Sequence, residues 1–343
     1  MNLRSGIKEV IRLSLPKQVR TYYQGVGTIL VYHRLTLQEP SYLAFRPNLV
    51  LAVHQKNFEE QLIYLSKNYQ CLSFNDFYQG IVAGNLPKNA VTLTFDDGYL
   101  DNLELALPLL EKYKIPAMIY ITINNVETDR LLWWYELEMR IRANSFLSFD
   151  WEGGHYEFPL KTVQQKRMVY QTVNYISKNL SNEKQEELLN ILAEKMPKQL
   201  PCEVKGLSWD NLKQLVSSEM ISIGTHTLSH PNLRLCNVEQ LHDELLIPRL
   251  KLEEFLGRKV DHTSFPFGDR EHSMQREMDM AKDLGYLTAC TTRIGHVQVE
   301  HKDNLFALPR IGIGYKDTIS TLRWKLSGAY AMLKQRGKRV ITL

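Results

Sequence analysis

Residues 91–102 read VTLTFDDGYLDN. The apolar, β-branched run Val91–Phe95 has the composition of a buried strand. Asp96 and Asp97 follow side by side, and Gly98 then forces a turn. Adjacent carboxylates repel each other, so a pair held at a strand end needs something to offset the repulsion.

Outward from this stretch the same strand signature recurs, alternating with helical periodicity. Strands are expected at Thr28–Tyr32, near Cys71–Phe74, at 115–122, at Ile221–Thr225, near Thr263–Phe265, at Tyr286–Thr291 and at Leu305–Leu308. Helices are expected at Phe58–Leu65, Leu103–Tyr113, Trp209–Val216 (with Ser208 as its cap), Val238–Leu256 and around Met274–Leu284. Pro248 should kink the fourth of these. Alternation of this kind describes an α/β protein with a mostly parallel sheet, and about seven units suggest a barrel.

One stretch breaks the alternation. Residues 127–205 hold LLWWYELEMRIR, a hairpin signal at Glu152-Gly153-Gly154 and two amphipathic helices, at about 162–180 and 182–196. They read as an insertion between two barrel units. Within it, Trp133 and Trp134 either line a sugar-binding surface or anchor the insertion to the barrel.

Composition narrows the classes. A chain of 343 residues, 44% hydrophobic, is enzyme-sized. Its four cysteines, Cys71, Cys202, Cys236 and Cys290, are scattered and read as free thiols. No apolar run approaches a membrane span, and the first twenty residues lack the core of a signal peptide, so a cytoplasmic location is expected. Residues 1–20 carry five Lys/Arg against one Glu, and residues 318–343 carry six with no acid, whereas the body between them is net acidic. That distribution argues against nucleic acid as a partner. It leaves peripheral contact of the basic ends with the inner face of a membrane as an expectation, with Ile7, Val10 and Ile11 at one end and Ile319, Leu322, Leu326, Tyr330 and Leu333 at the other as apolar faces. The expected division is 1–25 as the basic N-terminal segment, 26–315 as the barrel and 316–343 as a basic amphipathic helix.

Active sites of α/β barrels form at the C-terminal strand ends. The polar groups expected there are His33, Asp96, Asp97, His226 with His230 in HTLSH, the FPFG stretch 265–268, and Arg310. Taken singly, each is a common surface or core feature. Their coincidence at strand ends singles them out. One carboxylate and two imidazoles suit Zn²⁺, or Co²⁺, Ni²⁺ or Mn²⁺. A cation also answers the opening question, because one aspartate can ligate it while the other stays ionised as a base.

These residues resemble the polysaccharide deacetylases with NodB homology, carbohydrate esterase family four. Thr94-Phe95-Asp96-Asp97-Gly98 matches the family's first motif, and His226-Thr227-Leu228-Ser229-His230 its second. The resemblance, over about residues 26–315, implies a distorted (β/α)₇ barrel. It implies Asp96 as general base and Asp97, His226 and His230 as metal ligands. Ser264-Phe265-Pro266-Phe267-Gly268 stands where the family has RxPxG, with serine replacing the arginine. The exopolysaccharide and poly-N-acetylglucosamine branch has a similar strand and a YH near its start, like Tyr32-His33 here. The family's late catalytic histidine has no clear match. His33 fits the acid role better than His296 or His301, and Arg310 is a candidate to replace the missing arginine. Pro266 and Phe267, with Trp133 and Trp134, are the candidate substrate contacts. The implied reaction is metal-dependent N-deacetylation of hexosamine in a glycan or its lipid-linked precursor, with the oxyanion near the Phe267 N–H. The alternatives are an O-deacetylase, a small-molecule amidohydrolase, or a non-catalytic carbohydrate-binding relative.

Overall fold

A computed structural model describes residues 16–39, 45–128, 132–202 and 204–342. Seven parallel strands close on themselves: β1 (Gly27–Tyr32), β2 (Ala90–Phe95), β3 (Ala117–Ile121), β4 (Ile221–Thr225), β5 (His262–Ser264), β6 (Thr288–Ile294) and β7 (Leu308–Gly312). Each pairs with the next. β1 closes the ring by pairing β2 along Gly27↔Ala90 to Tyr32↔Phe95 on one edge and β7 at Leu30↔Ile311 on the other. Closure leaves no free edge among these strands. β1, β2 and β3 are buried along their whole length. Side chains fill the barrel on one face and helices cover the other, which is why their sequences are continuously apolar rather than alternating. The expected seven-unit barrel is therefore the observed one.

Local signals placed most boundaries within a few residues, and four readings need correction. The strand expected near Cys71–Phe74 stops at Cys71, because the Ser73 hydroxyl accepts the Asp76 N–H and caps a helix, Phe74–Ala83. The helix expected from Leu103 opens with a wide π-turn, Asn102–Ala106, ahead of Leu107–Tyr113. Pro108 has no N–H to give the preceding turn. The last strand is displaced: Leu305–Ala307 forms a 3₁₀ turn, with the Ala307 N–H on the Asn304 carbonyl at 3.1 Å. β7 therefore begins at Leu308 and carries Arg310 inside the barrel wall.

The C-terminal segment is the fourth correction. It forms two short helices, Ile319–Leu326 and Ala329–Lys334, broken at Gly328 with φ 77°. Part of their apolar surface is covered by the protein itself. Leu322 and Leu326 sit in the main core with Leu62 and Leu65 of the helix Gln55–Asn68, and Trp324 is buried. Of the apolar residues named on this segment, Leu333 is the exposed one. Ile7, Val10 and Ile11 lie outside the described residues. No described helix is long and apolar enough to cross a membrane.

Between β3 and β4 the chain builds a helix Trp133–Ala143, an antiparallel hairpin (Phe146–Trp151 with Gly154–Pro159) and helices Val163–Lys178 and Asn182–Lys195. Glu152 (φ 48°) and Gly153 (φ 79°) make its two-residue turn. These elements share a core of their own that includes Leu137, Leu147, Val169 and Leu188. They stand over the barrel mouth: the Asn232 side-chain amide donates to the Lys178 carbonyl at 3.0 Å, and that of Asn182 to the Ser229 hydroxyl at 3.1 Å.

Candidate active site

The strand ends bring the expected polar residues to one place. Asp96 and Asp97 leave β2, His226 leaves β4, Ser264 ends β5 and His33 follows β1. His33, Asp96, Asp97, His226 and His230 line a single cavity of about 360 Å³, with Trp134 and Phe267 on its walls. Asp97, Thr227, His230 and Phe267 all have positive φ, between 59° and 75°. Four strained non-glycine residues around one cavity show backbone held by its surroundings to aim side chains.

Asp97, His226 and His230 form the one cluster of metal-ligand type among the described residues. Asp97 Oδ1 lies 3.4 Å from Nε2 of each histidine. Two ligands each about 2.1 Å from a tetrahedral cation sit roughly 3.4 Å apart, so the spacing fits a divalent ion. Asp97 Oδ1 is buried and accepts no hydrogen bond among the described residues. His226 Nδ1 lies 2.8 Å from the Ser264 carbonyl, which can only accept. Its proton is therefore on Nδ1, and the Nε2 lone pair faces Asp97.

The electrostatics agree. Burial opposes the charge on Asp97, yet the His226 and His230 imidazoles beside it hold its carboxyl well below the usual range. Burial pushes the His230 imidazole down, toward the neutral form that ligates metals. Against the effect of burial, Asp96 and Asp97 raise His226.

Asp96 has a different partner. Arg310 donates from Nη1 to Oδ1 at 2.7 Å and from Nη2 to Oδ2 at 2.6 Å, with both side chains essentially buried. Arg310 Nε is anchored on the Thr291 carbonyl at 2.8 Å, where a register shift interrupts the pairing of β6 and β7. Burial would raise the Asp96 carboxyl, but the guanidinium holds it below the ordinary range, ionised and fixed in orientation. The Ser264 hydroxyl lies 3.4 Å from Asp96 Oδ1. Serine thus occupies the strand position where the resemblance led one to expect arginine, and the guanidinium arrives from β7 instead.

The remaining candidates divide. Phe267 is the centre of a γ-turn, with the Gly268 N–H on the Pro266 carbonyl at 2.6 Å, and its ring lies 4.8 Å from that of His230. Trp134 lines the cavity, its ring 5.0 Å from His230. Pro266 and Trp133 do not line it. Pro266 is buried and shapes the Phe267 turn, and Trp133 packs against Trp134 and the core of the inserted elements. Neighbouring positions on a helix point about 100° apart, so one of two adjacent indoles reaches the cavity. His296 and His301 lie elsewhere, on Thr28 and on the Ile341 carbonyl.

Sequence reasoning missed two contributors. Glu244 is buried and accepts the Leu228 N–H (3.0 Å), the Ser229 N–H (2.9 Å) and the Ser229 hydroxyl (2.5 Å), pinning the loop between the two histidines. Pro248 lies four residues on in the helix Val238–Leu256, which continues through it. Having no N–H, it leaves the Glu244 carbonyl to the Leu228 N–H, at 3.2 Å. A proline in mid-helix with an acid four residues before it was the available signal. The second is the helix Val163–Lys178, which places Tyr170, Asn174 and Lys178 on the cavity wall at i, i+4 and i+8. Tyr170 donates to Asn48 Oδ1 at 2.5 Å, Asn174 to the Tyr170 hydroxyl at 3.1 Å, and Lys178 Nζ stands 4.9 Å over the Phe267 ring.

A closed parallel barrel whose strand ends converge on a carboxylate–imidazole cluster has the layout of a barrel enzyme. Residues 83–289 match the polysaccharide deacetylase family, and the chain belongs to it. It is 37% identical over 112 residues to a poly-beta-1,6-N-acetyl-D-glucosamine N-deacetylase of Staphylococcus aureus, a match covering 32% of this chain and 37% of that protein. The match thus spans little more than a third of the curated relative's length. Among solved structures, the chain is similar to the Streptococcus pyogenes deacetylase PplD in complex with acetate (TM-score 0.59, 19% identity, 87% of this chain and 97% of that one). It is also similar to IcaB from Ammonifex degensii (TM-score 0.52, 17% identity, 89% and 96%). At those identities the two structures show a shared fold.

Proposed function

We propose that this protein is a metal-dependent hydrolase that removes N-acetyl groups from hexosamine residues of a cell-surface polysaccharide or exopolysaccharide, or of its lipid-linked precursor. The observation that carries the reading is the juxtaposition in one cavity of Asp97, His226 and His230, spaced for a cation, with Asp96 ionised beside them on Arg310. The match to the Staphylococcus aureus N-deacetylase supports the N-acetylglucosamine class of substrate.

Held by Asp97, His226 and His230, a divalent ion, with Zn²⁺ the first candidate, would polarise the acetyl carbonyl and acidify water. The protein's own residues do the rest. Asp96, oriented by Arg310, accepts the proton of the attacking water. The Phe267 N–H, which donates to no backbone carbonyl among the described residues, would receive the developing oxyanion. His33, which lines the same cavity, delivers the proton to the departing amine. The Asn102 side-chain amide donates to the His33 carbonyl at 2.9 Å and fixes its position. Trp134 and Phe267 offer apolar faces to the sugar.

The test is acetate release by the purified, metal-loaded protein from N-acetylated oligosaccharides, lipid-linked N-acetylhexosamine and O-acetylated sugars. Release from the N-acetylated glycans, lost on chelation and regained with Zn²⁺ or Co²⁺, is the expected result. Release from O-acetylated sugars alone would make the protein an esterase.

A further inference from the structure

The barrel mouth holds a second cavity of about 780 Å³, which shares His33, Val50 and Leu51 with the first. The two form one groove, with Asp97 at one end and the C-terminal helices at the other. Charges along it close in pairs: Arg310 on Asp96, and Lys325 on Asp317 at 2.6 Å. Lys178, at the first cavity, stands over the Phe267 ring, and two further cations are left over in the larger arm. Lys316 and Lys334 both line the larger cavity, both are exposed, and neither forms an ion pair among the described residues. No unpaired carboxylate lines this arm to balance them. Trp324 and Tyr330 supply aromatic surface beside them.

We propose that this arm binds an oxyanion of the substrate, a phosphate or carboxylate carried on the same glycan as the acetamido sugar lying over Asp97, with Lys316 and Lys334 as its ligands. The proposal rests on the deacetylase reading of the first cavity and extends it to the class of glycan. Two ammonium groups in a concave surface raise the local positive potential, and an anionic group is drawn there. A neutral homopolymer gains nothing from them. A stretch already deacetylated, which carries ammonium groups of its own, is repelled. The groove thus favours an acidic or phosphorylated acetylated glycan and releases its amine product.

The experiment compares three probes on the metal-loaded full chain, each by calorimetric binding and by acetate release. They are a neutral N-acetylglucosamine tetramer, an N-acetylated oligosaccharide containing glucuronate, and an N-acetylglucosamine phosphodiester. At least one anionic probe should bind about tenfold or more tighter than the tetramer, with an advantage that shrinks as salt rises. K316E/K334E should abolish that advantage while leaving tetramer binding and the thermal midpoint unchanged. The glucuronate and phosphodiester arms distinguish the two sources of the oxyanion. A tetramer that binds as tightly as both anionic probes overturns the proposal, as does an anionic advantage that survives K316E/K334E. If anionic glycans bind through the lysines but no probe releases acetate, the groove assignment stands and the deacetylase reading falls.

Discussion

Arg310 holds both carboxylate oxygens of Asp96, at 2.7 and 2.6 Å, from the strand β7, on which no site motif was recognised. A buried ion pair of this kind is costly to break from one side, because the survivor stays charged without a partner. R310M should therefore lower unfolding stability by about 3–5 kcal/mol in urea titration. R310K keeps the charge but loses the two-pronged fit, so it should retain more stability than activity. Equal retention of activity by R310K and wild type would remove the orienting role.

Metal content separates the two aspartates. D97A, H226A and H230A should each lose bound metal after dialysis, measured by elemental analysis. D96N should keep it and lose turnover, since it removes a base and not a ligand. Loss of metal from D96N as complete as from D97A would show that the pair is wrongly divided.

Glu244 acts through the loop it pins. E244Q puts an amide N–H against donors that now meet an acceptor, so the loop carrying His230 loosens. Metal affinity should fall about 10- to 100-fold, the range for residues behind a ligand. A dissociation constant equal to that of wild type would mean the loop holds itself.

His33 can be read through leaving groups. H33A should impair amide substrates, whose amine must be protonated to depart, far more than activated acetate esters, which need no proton. Equal losses on both would assign His33 to binding.

Two histidines away from the site contribute to the acid sensitivity of the fold. Burial pushes His262 and His296 down to about 4, and each is held by a threonine hydroxyl. In the unfolded chain they titrate at the ordinary value of about 6.5. Between these values the unfolded state binds more protons, so stability should fall as pH drops from about 6.5 to 4 and be level with respect to these groups above that window. H262Q and H296Q should each flatten the curve of urea midpoint against pH. Curves parallel to wild type would rule out both groups as its source.

The sequence by itself determined what depends on neighbours along the chain. Continuous apolar runs marked β1 to β4, Ser208 marked a helix start, and Glu152-Gly153 marked the hairpin turn. The adjacent aspartates and the paired histidines were legible because strand direction alone puts consecutive C-terminal ends on one rim. The tertiary structure decided everything that depends on register or on which face a side chain takes. Whether Arg310 enters the barrel depends on β7 starting at Leu308, and a strand shifted by one residue would turn its side chain to the other face. Which of Trp133 and Trp134 meets the cavity depends on the rotation of one helix. Whether the apolar residues near the C-terminus cover a core or a lipid surface is not written in their spacing, since an amphipathic helix has the same pattern in both cases. Here the barrel offered Leu322 and Leu326 a partner in the helix Gln55–Asn68, and packing against it takes their apolar surface out of water.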